Sequence, residues 1–258
     1  SDNMAIIARV DNLLETGETF CLATVIASET VDAPPGSKAI VLGDGTVDSG
    51  LNSVSLNTAI RDHALAQLNR KKSGIVEIED GLRVFFNILF SEARLLVCGA
   101  GHIAIPLARF ANDVGFRVTV LDDRSDFAHP ARFPGCTTIA ENFTIALRDM
   151  TLGPSCHVVV ITRGHEHDVD CLMEILPQEA AYVGLIGSRR RVSFVLKLLK
   201  EKGFSRQRLK GVFTPIGLPI GAESPEEIAL SIVSELVCVR RKGISQARSL
   251  RSAVVTEL

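Results

Sequence analysis

Several features that assign a chain to a familiar class are missing from this sequence. Its 258 residues contain no CxxC pair, and the six cysteines are scattered along the chain. Three of them, Cys98, Cys156 and Cys238, lie in strongly apolar runs, where cysteine behaves as a small buried hydrophobe. This usage argues against a cysteine-based zinc site and favours a reduced cytoplasm.

Long apolar runs and blocks of charge are also absent. The apolar runs are well short of the ~18 residues that a membrane span requires, and residues 1–20 lack the basic and apolar regions of a signal peptide. The formal net charge is −2, with Lys and Arg spread along the chain, so no basic block indicates nucleic-acid binding. We therefore expect a cytoplasmic protein that binds neither nucleic acid nor membrane.

The pattern of predicted elements changes near Ser91, and the length suits two domains. Before this point, predicted strands gather in hairpins, which is typical of a small α+β domain. After it, strands alternate with helices, which predicts a parallel sheet covered on both faces. The sequence thus predicts an α/β chain in which an α+β domain over residues 1–90 precedes a Rossmann-like, doubly wound domain over 91–258. The predicted strands are 20–27, 38–42, 46–47, 74–79, 82–90, 94–98, 117–121, 156–161 and 181–186. The predicted helices are 4–15, 51–69, 102–114, 168–176, 188–202 and 225–240.

A glycine-rich motif lies between a predicted strand and a predicted helix. Gly99, Gly101 and Ala104 form the G-x-G-x-x-A version of the dinucleotide fingerprint, with His102 inside it. Gly99 allows a tight turn, Gly101 lets the backbone approach a pyrophosphate, and Ala104 keeps the helix close to the sheet. The pyrophosphate would lie on amides at the helix N-terminus.

An acidic residue ends the next predicted strand. Asp122 falls about 20 residues after the glycines, where an acid binds ribose hydroxyls. Arg124 could instead meet a 2′-phosphate, so the choice between NAD and NADP is open. The alternative is a Rossmann frame whose glycines serve only the turn, or one that holds another phosphate-bearing ligand.

A polar segment follows the central predicted strand, at the sheet edge where ligands bind. It contains Arg163, Gly164, His165, His167 and Asp168. In an extended segment the two histidines would point the same way and could bind a metal, or one could serve as a general base beside a ligand. Helix capping by the aspartate, with solvated histidines, is the structural alternative. Because the run lacks the His-x-His-x-Asp-His pattern of metallo-β-lactamases, we assign no metal site.

Three arginines begin the predicted helix after the next strand. Ser188 can cap this helix, but Arg189, Arg190 and Arg191 in its first turn oppose the helix dipole. The placement becomes favourable if an anionic group binds there; otherwise the arginines form a solvated basic face.

Taken together, these segments resemble the xanthine dehydrogenase accessory protein family (XdhC/CoxI) over nearly all of residues 92–240. The matching stretches are Val97-Cys98-Gly99-Ala100-Gly101-His102-Ile103-Ala104, Val118-Thr119-Val120-Leu121-Asp122-Asp123-Arg124 with Phe127 and Arg132-Phe133-Pro134, Thr162-Arg163-Gly164-His165-Glu166-His167-Asp168, Gly184-Leu185-Ile186-Gly187-Ser188-Arg189-Arg190 and Pro215-Ile216-Gly217-Leu218-Pro219-Ile220-Gly221-Ala222-Glu223-Ser224-Pro225-Glu226-Glu227-Ile228. The last two motifs are the most specific to the family.

The resemblance implies an accessory protein that matures molybdenum hydroxylases, rather than a demonstrated catalyst. Such a protein would bind the molybdenum cofactor, protect it during sulfuration, and deliver it to xanthine dehydrogenase or a similar enzyme. A cysteine desulfurase would be a second partner. The ligand would lie near Gly99, Gly101 and Asp122, with His165 and His167 facing it and Arg189 and Arg190 meeting its phosphate.

The N-terminal half is divergent from the family pattern. Residues 35–39 keep part of a Gly-Ser element, but Asp48-Ser49-Gly50-Leu51-Asn52-Ser53 stands where members carry a glycine run. If that run approaches the cofactor, side chains now obstruct it.

The main alternative is an NAD(P)-dependent oxidoreductase of unknown substrate, with His165 or His167 as the acid or base. No Tyr–Lys pair supports it, since Tyr182 is the only tyrosine and lies inside an apolar strand. A module that senses a nucleotide and reports to a partner is a third possibility. The apolar surface of the terminal helices makes a homodimer plausible.

Overall fold

The computed structural model describes residues 2–79 and 81–248. The chain divides into two compact units, residues 1–91 and 92–258. Two parts of the predicted architecture lie outside the described residues: Asp80, at the tip of a predicted hairpin, and residues 249–258 of the predicted second domain.

The first unit is an antiparallel sheet with two helices. Its sheet has the strand order β3-β2-β1-β5-β4. Buried residues alternate along β5, as expected of a strand with one face in the core. On α2, Leu56, Ile60 and Ala64 are buried at four-residue spacing, so one stripe of this helix packs on the sheet. The elements are α1 (Asp2–Thr16), β1 (Phe20–Ala27), β2 (Lys38–Leu42), β3 (Val47–Ser49), α2 (Val54–Arg70), β4 (Gly74–Glu79) and β5 (Leu82–Leu89).

Helix α1 is apolar on two sides. Ile6 and Leu13 are buried in a small cluster with Phe20. Met4 and Ile7, in contrast, are 73% and 50% exposed. The predicted homodimer relies on exposed apolar surface of this kind.

The second unit is a five-stranded parallel sheet with the order β10-β9-β6-β7-β8. This arrangement confirms the Rossmann-like fold. A 3-10 turn, Pro130–Arg132, precedes β8. The elements are β6 (Arg94–Cys98), α3 (Ala104–Asp113), β7 (Arg117–Asp122), β8 (Thr137–Ala140), α4 (Phe143–Asp149), β9 (Gly153–Val160), α5 (His165–Ile175), β10 (Ala180–Leu185), α6 (Arg189–Glu201), α7 (Arg206–Lys210) and α8 (Pro225–Lys242).

Helices cover this parallel sheet on both faces. Along β6, Leu95 and Val97 face a core formed with α3 and α8, whereas Leu96 and Cys98 face a core formed with α4, α5 and α6. The chain leaves β6 toward β7 and later returns to place β9 on the other side of β6. The strand order therefore reverses between β6 and β9, and ligands of such sheets bind outside the carboxyl ends at this point.

The sequence did not predict β8, α4 or α7. These elements are short, with four, seven and five residues, so they offer little periodicity to detect. The predicted start of α8 is confirmed. Ser224 caps it and Glu227 completes the capping box, with Pro225 in the first turn.

The cysteines are all free thiols, and Cys21, Cys98, Cys156 and Cys171 are buried. Burial raises the pKa of Cys156 to about 11, so it carries little of the reactive thiolate. In the described part of the chain, no helix combines the length and apolar character needed to cross a membrane.

Candidate functional site

The two glycines of the fingerprint have different structural roles. Gly99 has φ +111°, and a Cβ there would lie 2.5 Å from the carbonyl oxygen of Ile161. Gly99 is therefore required by the close approach of β6 and β9. A Cβ on Gly101 would meet no atom within 4 Å, so this residue faces open space. Ala104 is fully buried against the sheet, as the fingerprint predicts.

Asp122 ends β7 at the same edge of the sheet, but the acceptor positions of its carboxylate are already occupied. Oδ1 accepts from the Arg124 backbone N–H at 3.0 Å and its Nε at 2.8 Å. Oδ2 accepts from the Ala100 N–H at 2.8 Å and from Arg124 Nη2 at 2.9 Å. Since a carboxylate offers about four acceptor positions, none is left for the ribose contact predicted from the sequence.

The electrostatics of Asp122 fit this internal role. The residue is 1% exposed, and burial acts to raise its pKa. Hydrogen bonds from Arg124 and from the Ala100 amide outweigh burial, and the pKa is lowered overall. The Arg124 guanidinium also lies 3.5 Å from the centre of the Phe127 ring. Arg124 is thus committed to Asp122 and Phe127 rather than held free for a 2′-phosphate.

Arg132 supports the glycine turn from the other side, a role that the sequence did not reveal. Its Nη1 donates to the carbonyl oxygens of Ala100, at 2.9 Å, and Phe127, at 2.7 Å. Because the Ala100 amide and carbonyl are both engaged, the turn has a fixed conformation.

Arg163, a predicted ligand contact, is paired with Asp123. Its Nη2 lies 2.8 Å from Asp123 Oδ2, and this pairing lowers the pKa of Asp123 to about 2. The pair links the loops after β7 and β9. Gly164, next to it, is the N-cap of α5, and no atom lies within 4 Å of where its Cβ would be.

The two histidines diverge, which corrects the hypothesis of a two-histidine metal pair. That hypothesis requires an extended segment, but α5 already begins at His165. Residues two apart on a helix point to different sides. The exposed His165 ring lies edge-on to Phe194 of α6 at 5.0 Å, whereas His167 packs on Phe143 of α4 at 5.5 Å. No group of three or more potential metal ligands occurs among the residues that the structure describes.

A buried ion pair joins α5 to α6. Asp168 is fully buried; its Oδ2 accepts from Arg191 Nε at 2.7 Å and its Oδ1 from the Thr162 hydroxyl at 2.6 Å. Burial raises the pKa of Asp168, while Thr162 and Arg191 oppose the rise. Asp168 therefore does not cap α5, because Gly164 holds the N-cap position. Of the three consecutive arginines, Arg191 is the one that pairs with Asp168. The sequence did not predict this partner.

The other two arginines are open to solvent. Ser188 accepts the Arg191 amide and caps α6, as predicted. Arg189 and Arg190 are exposed and form no ion pair within residues 2–79 and 81–248. His102, beside the Gly101 turn, is also exposed. The unneutralised positive charge of this edge is thus concentrated at the start of α6.

The Gly/Pro loop before α8 is anchored by a buried acid that the sequence analysis did not single out. Glu235 of α8 is fully buried. Its Oε1 accepts from the Tyr182 hydroxyl at 2.5 Å and from the Gly217 N–H at 3.1 Å. Only a weak signal was available in the sequence: one Glu and one Tyr, each within an apolar element.

The arrangement can bind an anion and shows no assembled catalytic pair in the described residues. It offers a backbone turn with open space at Gly101 and unpaired guanidinium groups at Arg189 and Arg190, which suit a phosphate. His165, exposed at the start of α5, lies edge-on to Phe194 of α6.

Comparison with known proteins gives the family. Residues 95–236 match the model of the XdhC Rossmann domain, and residues 13–79 match that of the XdhC and CoxI family. The second match lies in the half of the chain that departs from the glycine-run pattern.

Three proteins illustrate the similarity. The chain is 26% identical over 256 residues to the uncharacterized protein YqeB of Escherichia coli (strain K12), covering 93% of this chain and 47% of that protein. It is 32% identical over 160 residues to a protein of Bacillus subtilis (strain 168) described as a probable xanthine dehydrogenase subunit, covering 62% of this chain and 46% of that protein. A crystal structure described as a xanthine dehydrogenase from Bacillus halodurans has a TM-score of 0.63 at 25% identity, covering 96% of this chain and 70% of that one.

The chain spans about half the length of the curated relatives it matches. The model of the Rossmann domain alone covers more than half of this chain, and the fold agrees with it. The chain therefore belongs to the XdhC and CoxI family.

Proposed function

We propose that this protein is an accessory factor for the maturation of a molybdenum hydroxylase and that its second unit holds a phosphate-bearing ligand, the molybdenum cofactor. Membership of the XdhC and CoxI family supports the proposal. So do the names of two relatives, one a xanthine dehydrogenase structure and the other a probable xanthine dehydrogenase subunit.

The observation that carries the proposal is the contrast between the acid and the arginines at the ligand edge. Asp122 has no acceptor position left for a ribose. Arg189 and Arg190 are exposed and without an acidic partner in the described segments. The edge therefore favours a ligand recognised by its phosphate over one recognised by its ribose.

The residues present fit a pterin that carries a phosphate. Arg189 would hold the phosphate, Arg190 would add positive charge beside it, and the open space at Gly101 would admit the body of the ligand close to the backbone. The exposed His165 would face it. When bound, the cofactor would supply the molybdenum centre that a hydroxylase needs, and the chain itself would bind, orient and shield it.

Two partners follow from this function. The recipient would be a molybdenum hydroxylase such as xanthine dehydrogenase, and the sulfur donor would be a cysteine desulfurase. Both are proposals about the whole protein, since the matches span 47% and 46% of the relatives' own length.

The test is the pterin content of protein purified from a host fed with molybdate. We expect sub-stoichiometric pterin, detected by fluorescence after oxidative release, and co-purification of a hydroxylase subunit. The variant Gly101→Val fills the open space at the turn and should lower the pterin content with the fold unchanged by circular dichroism. Wild-type protein with neither pterin nor a hydroxylase partner would overturn the proposal.

Titration with NADH and NADPH separates this function from the oxidoreductase alternative. Because Asp122 is filled, we expect no saturable change in nicotinamide fluorescence with either dinucleotide. A saturable signal that disappears in the Gly101→Val variant would favour the oxidoreductase instead.

A further inference from the structure

A cavity of about 250 Å³ lies beside the first turns of α6, on the side of the Gly/Pro loop. We propose that it is a subsite for a tetrahedral oxyanion, the phosphate group of the bound ligand. This assignment rests on the proposed function for the identity of the ligand, but not for the chemistry of the site. The lining residues are Gly187, Arg189, Val192, Ser193, Thr214 and Pro215.

The lining combines a positive charge with two hydroxyl groups and contains no acid. Arg189 brings a guanidinium group, and Ser193 brings a hydroxyl one turn later on the same face of α6. Thr214 completes the polar lining from the loop. Guanidinium and hydroxyl donors around a helix N-terminus are the groups that bind phosphate in proteins.

The Thr214 hydroxyl has unused hydrogen-bonding capacity. Its oxygen is shielded from solvent and has no hydrogen-bond partner among the described residues. A buried polar atom without a partner is costly and is rare in native structures. Since Thr214 lines the cavity, a ligand atom there can supply the missing partner.

The loop wall of the cavity is held on both sides of Thr214. Phe213 donates to the Val183 carbonyl oxygen at 2.8 Å, and its own carbonyl oxygen accepts from Leu185 at 3.0 Å. Gly217 donates to the buried Glu235 carboxylate. Thr214 is therefore presented from a fixed segment, as a binding site requires.

The helical wall is fixed as well, and it separates two of the arginines. Arg191 is bound to Asp168 of α5, and Phe194 contacts His165 of α5, so this side of α6 faces α5. Arg189 and Ser193 face the cavity instead. Arg190 does not line the cavity, although it has the same charge and is exposed like Arg189.

The position of the cavity in the sheet sets the distance that the ligand must span. The cavity adjoins the end of β10, two strands from β6, which carries the Gly101 turn. With strands about 4.8 Å apart, this separation is about 10 Å. A planar ring with a phosphate arm can span it, so the ring would lie toward Gly101 and the phosphate in the cavity.

Isothermal titration with inorganic phosphate tests the subsite in the full chain. We expect Arg189→Gln to weaken phosphate binding about tenfold, because it removes a charge-assisted hydrogen bond. Thr214→Val, which keeps the side-chain shape, should weaken it about threefold. The matched control Arg206→Gln removes the same charge at an exposed residue outside the cavity and should change the affinity less than about twofold. Circular dichroism and the melting temperature confirm that each variant is folded.

Equal losses in Arg189→Gln and Arg206→Gln would indicate diffuse attraction and overturn the subsite. Unchanged binding in both Arg189→Gln and Thr214→Val would overturn it too. Pterin retention by the same variants identifies the source of the phosphate: a loss parallel to that of inorganic phosphate assigns the subsite to the retained ligand, and no loss assigns it to free phosphate.

The two proposals can fail separately. If wild-type protein retains no pterin but the phosphate results hold, the accessory function falls and the subsite stands. If pterin is retained but the Arg189 and Thr214 variants bind phosphate as wild type does, the subsite is overturned and the accessory function is supported.

Discussion

At the scale of single residues, the glycine fingerprint separates into a sterically constrained position and an open position. The motif predicts that Gly99 allows the turn and that Gly101 leaves room for a pyrophosphate. In the structure, Gly99 is constrained by the carbonyl of Ile161, whereas Gly101 borders open space. The motif thus predicts both the turn and which of its two glycines borders open space.

Alanine substitutions should separate the two roles. Gly99→Ala places a Cβ 2.5 Å from a backbone oxygen at φ +111°, and we expect it to lower the free energy of unfolding by at least about 2 kcal/mol. Gly101→Ala should change it by less than about 0.5 kcal/mol. Urea denaturation measures both values. A destabilisation of similar size in the two variants would contradict this assignment.

The roles of the charged residues depend on which donors and acceptors reach them in the folded chain, and the sequence did not predict these partners. Asp122 stands at the position of a ribose-binding acid, yet its acceptor positions are used by Arg124 and Ala100. Its spacing from the glycines predicts where the acid lies in the sheet. The spacing does not predict which hydrogen-bond donors occupy its carboxylate. Likewise, Arg189, Arg190 and Arg191 form one basic run in the sequence, and only the helical geometry assigns Arg191 to Asp168.

At the scale of secondary-structure elements, long or strongly patterned segments are predictable from the sequence. The strands Phe20–Ala27, Lys38–Leu42 and Arg94–Cys98 agree with the prediction in both bounds. Helix α5 is predicted to start at Asp168 but starts at His165, because Gly164 supplies no side-chain capping signal. Because the helix starts three residues earlier, His165 and His167 lie on different sides of it. They contact different helices instead of forming a metal-binding pair.

The tie between α5 and α6 can be tested through Asp168. Asp168→Asn leaves the half-buried Arg191 without its anionic partner, and we expect a loss of about 3 kcal/mol in the free energy of unfolding. The control Asp170→Asn changes an exposed acid on the same helix and should have an effect within about 0.5 kcal/mol. Urea midpoints at pH 7 compare the two variants with wild type. Equal midpoints for Asp168→Asn and wild type would show that the pair does not stabilise the fold.

At the scale of the whole molecule, the class of fold and the covering of the parallel sheet on both faces followed from the alternation of strands and helices. The order of the strands did not follow from it, since periodicity does not say on which side of β6 the returning strand lies. That order places the cavity at β10 two strands from the glycine turn. Thr214, which contributes a hydroxyl to the lining, directly precedes the stretch of the family resemblance over residues 215–228.

Global stability should depend on pH through His157, inside β9. The ring is 3% exposed and lies edge-on to the Phe116 ring, with 5.1 Å between the ring centres. Burial lowers its pKa from 6.5 to about 4. Below pH 6.5 the unfolded chain therefore binds a proton that the folded chain excludes, so stability is lost as the pH falls from 6.5 to 4.

The expected loss from this residue is about 3 kcal/mol across that interval. Urea denaturation of wild type and His157→Gln at a series of pH values measures it, with His102→Gln as the control at an exposed histidine. His157→Gln should flatten the dependence between pH 6.5 and 4, whereas the control should keep it. Asp168, whose raised pKa acts with the opposite sign, is present in all three proteins. An unchanged slope in His157→Gln would rule out this histidine as the cause.

Phe213 also affects how copies of the chain behave when concentrated. An open strand edge is a template for pairing with another chain, and such pairing leads to aggregation. By bonding to Val183 and Leu185, Phe213 occupies hydrogen-bonding groups along the outer edge of β10. The opposite edge of this sheet is β8, which has only four residues, too few to seed an extended ladder. Proteolytic nicking or an insertion next to Phe213 would uncover the longer edge, so this segment is a poor site for a tag or a fusion.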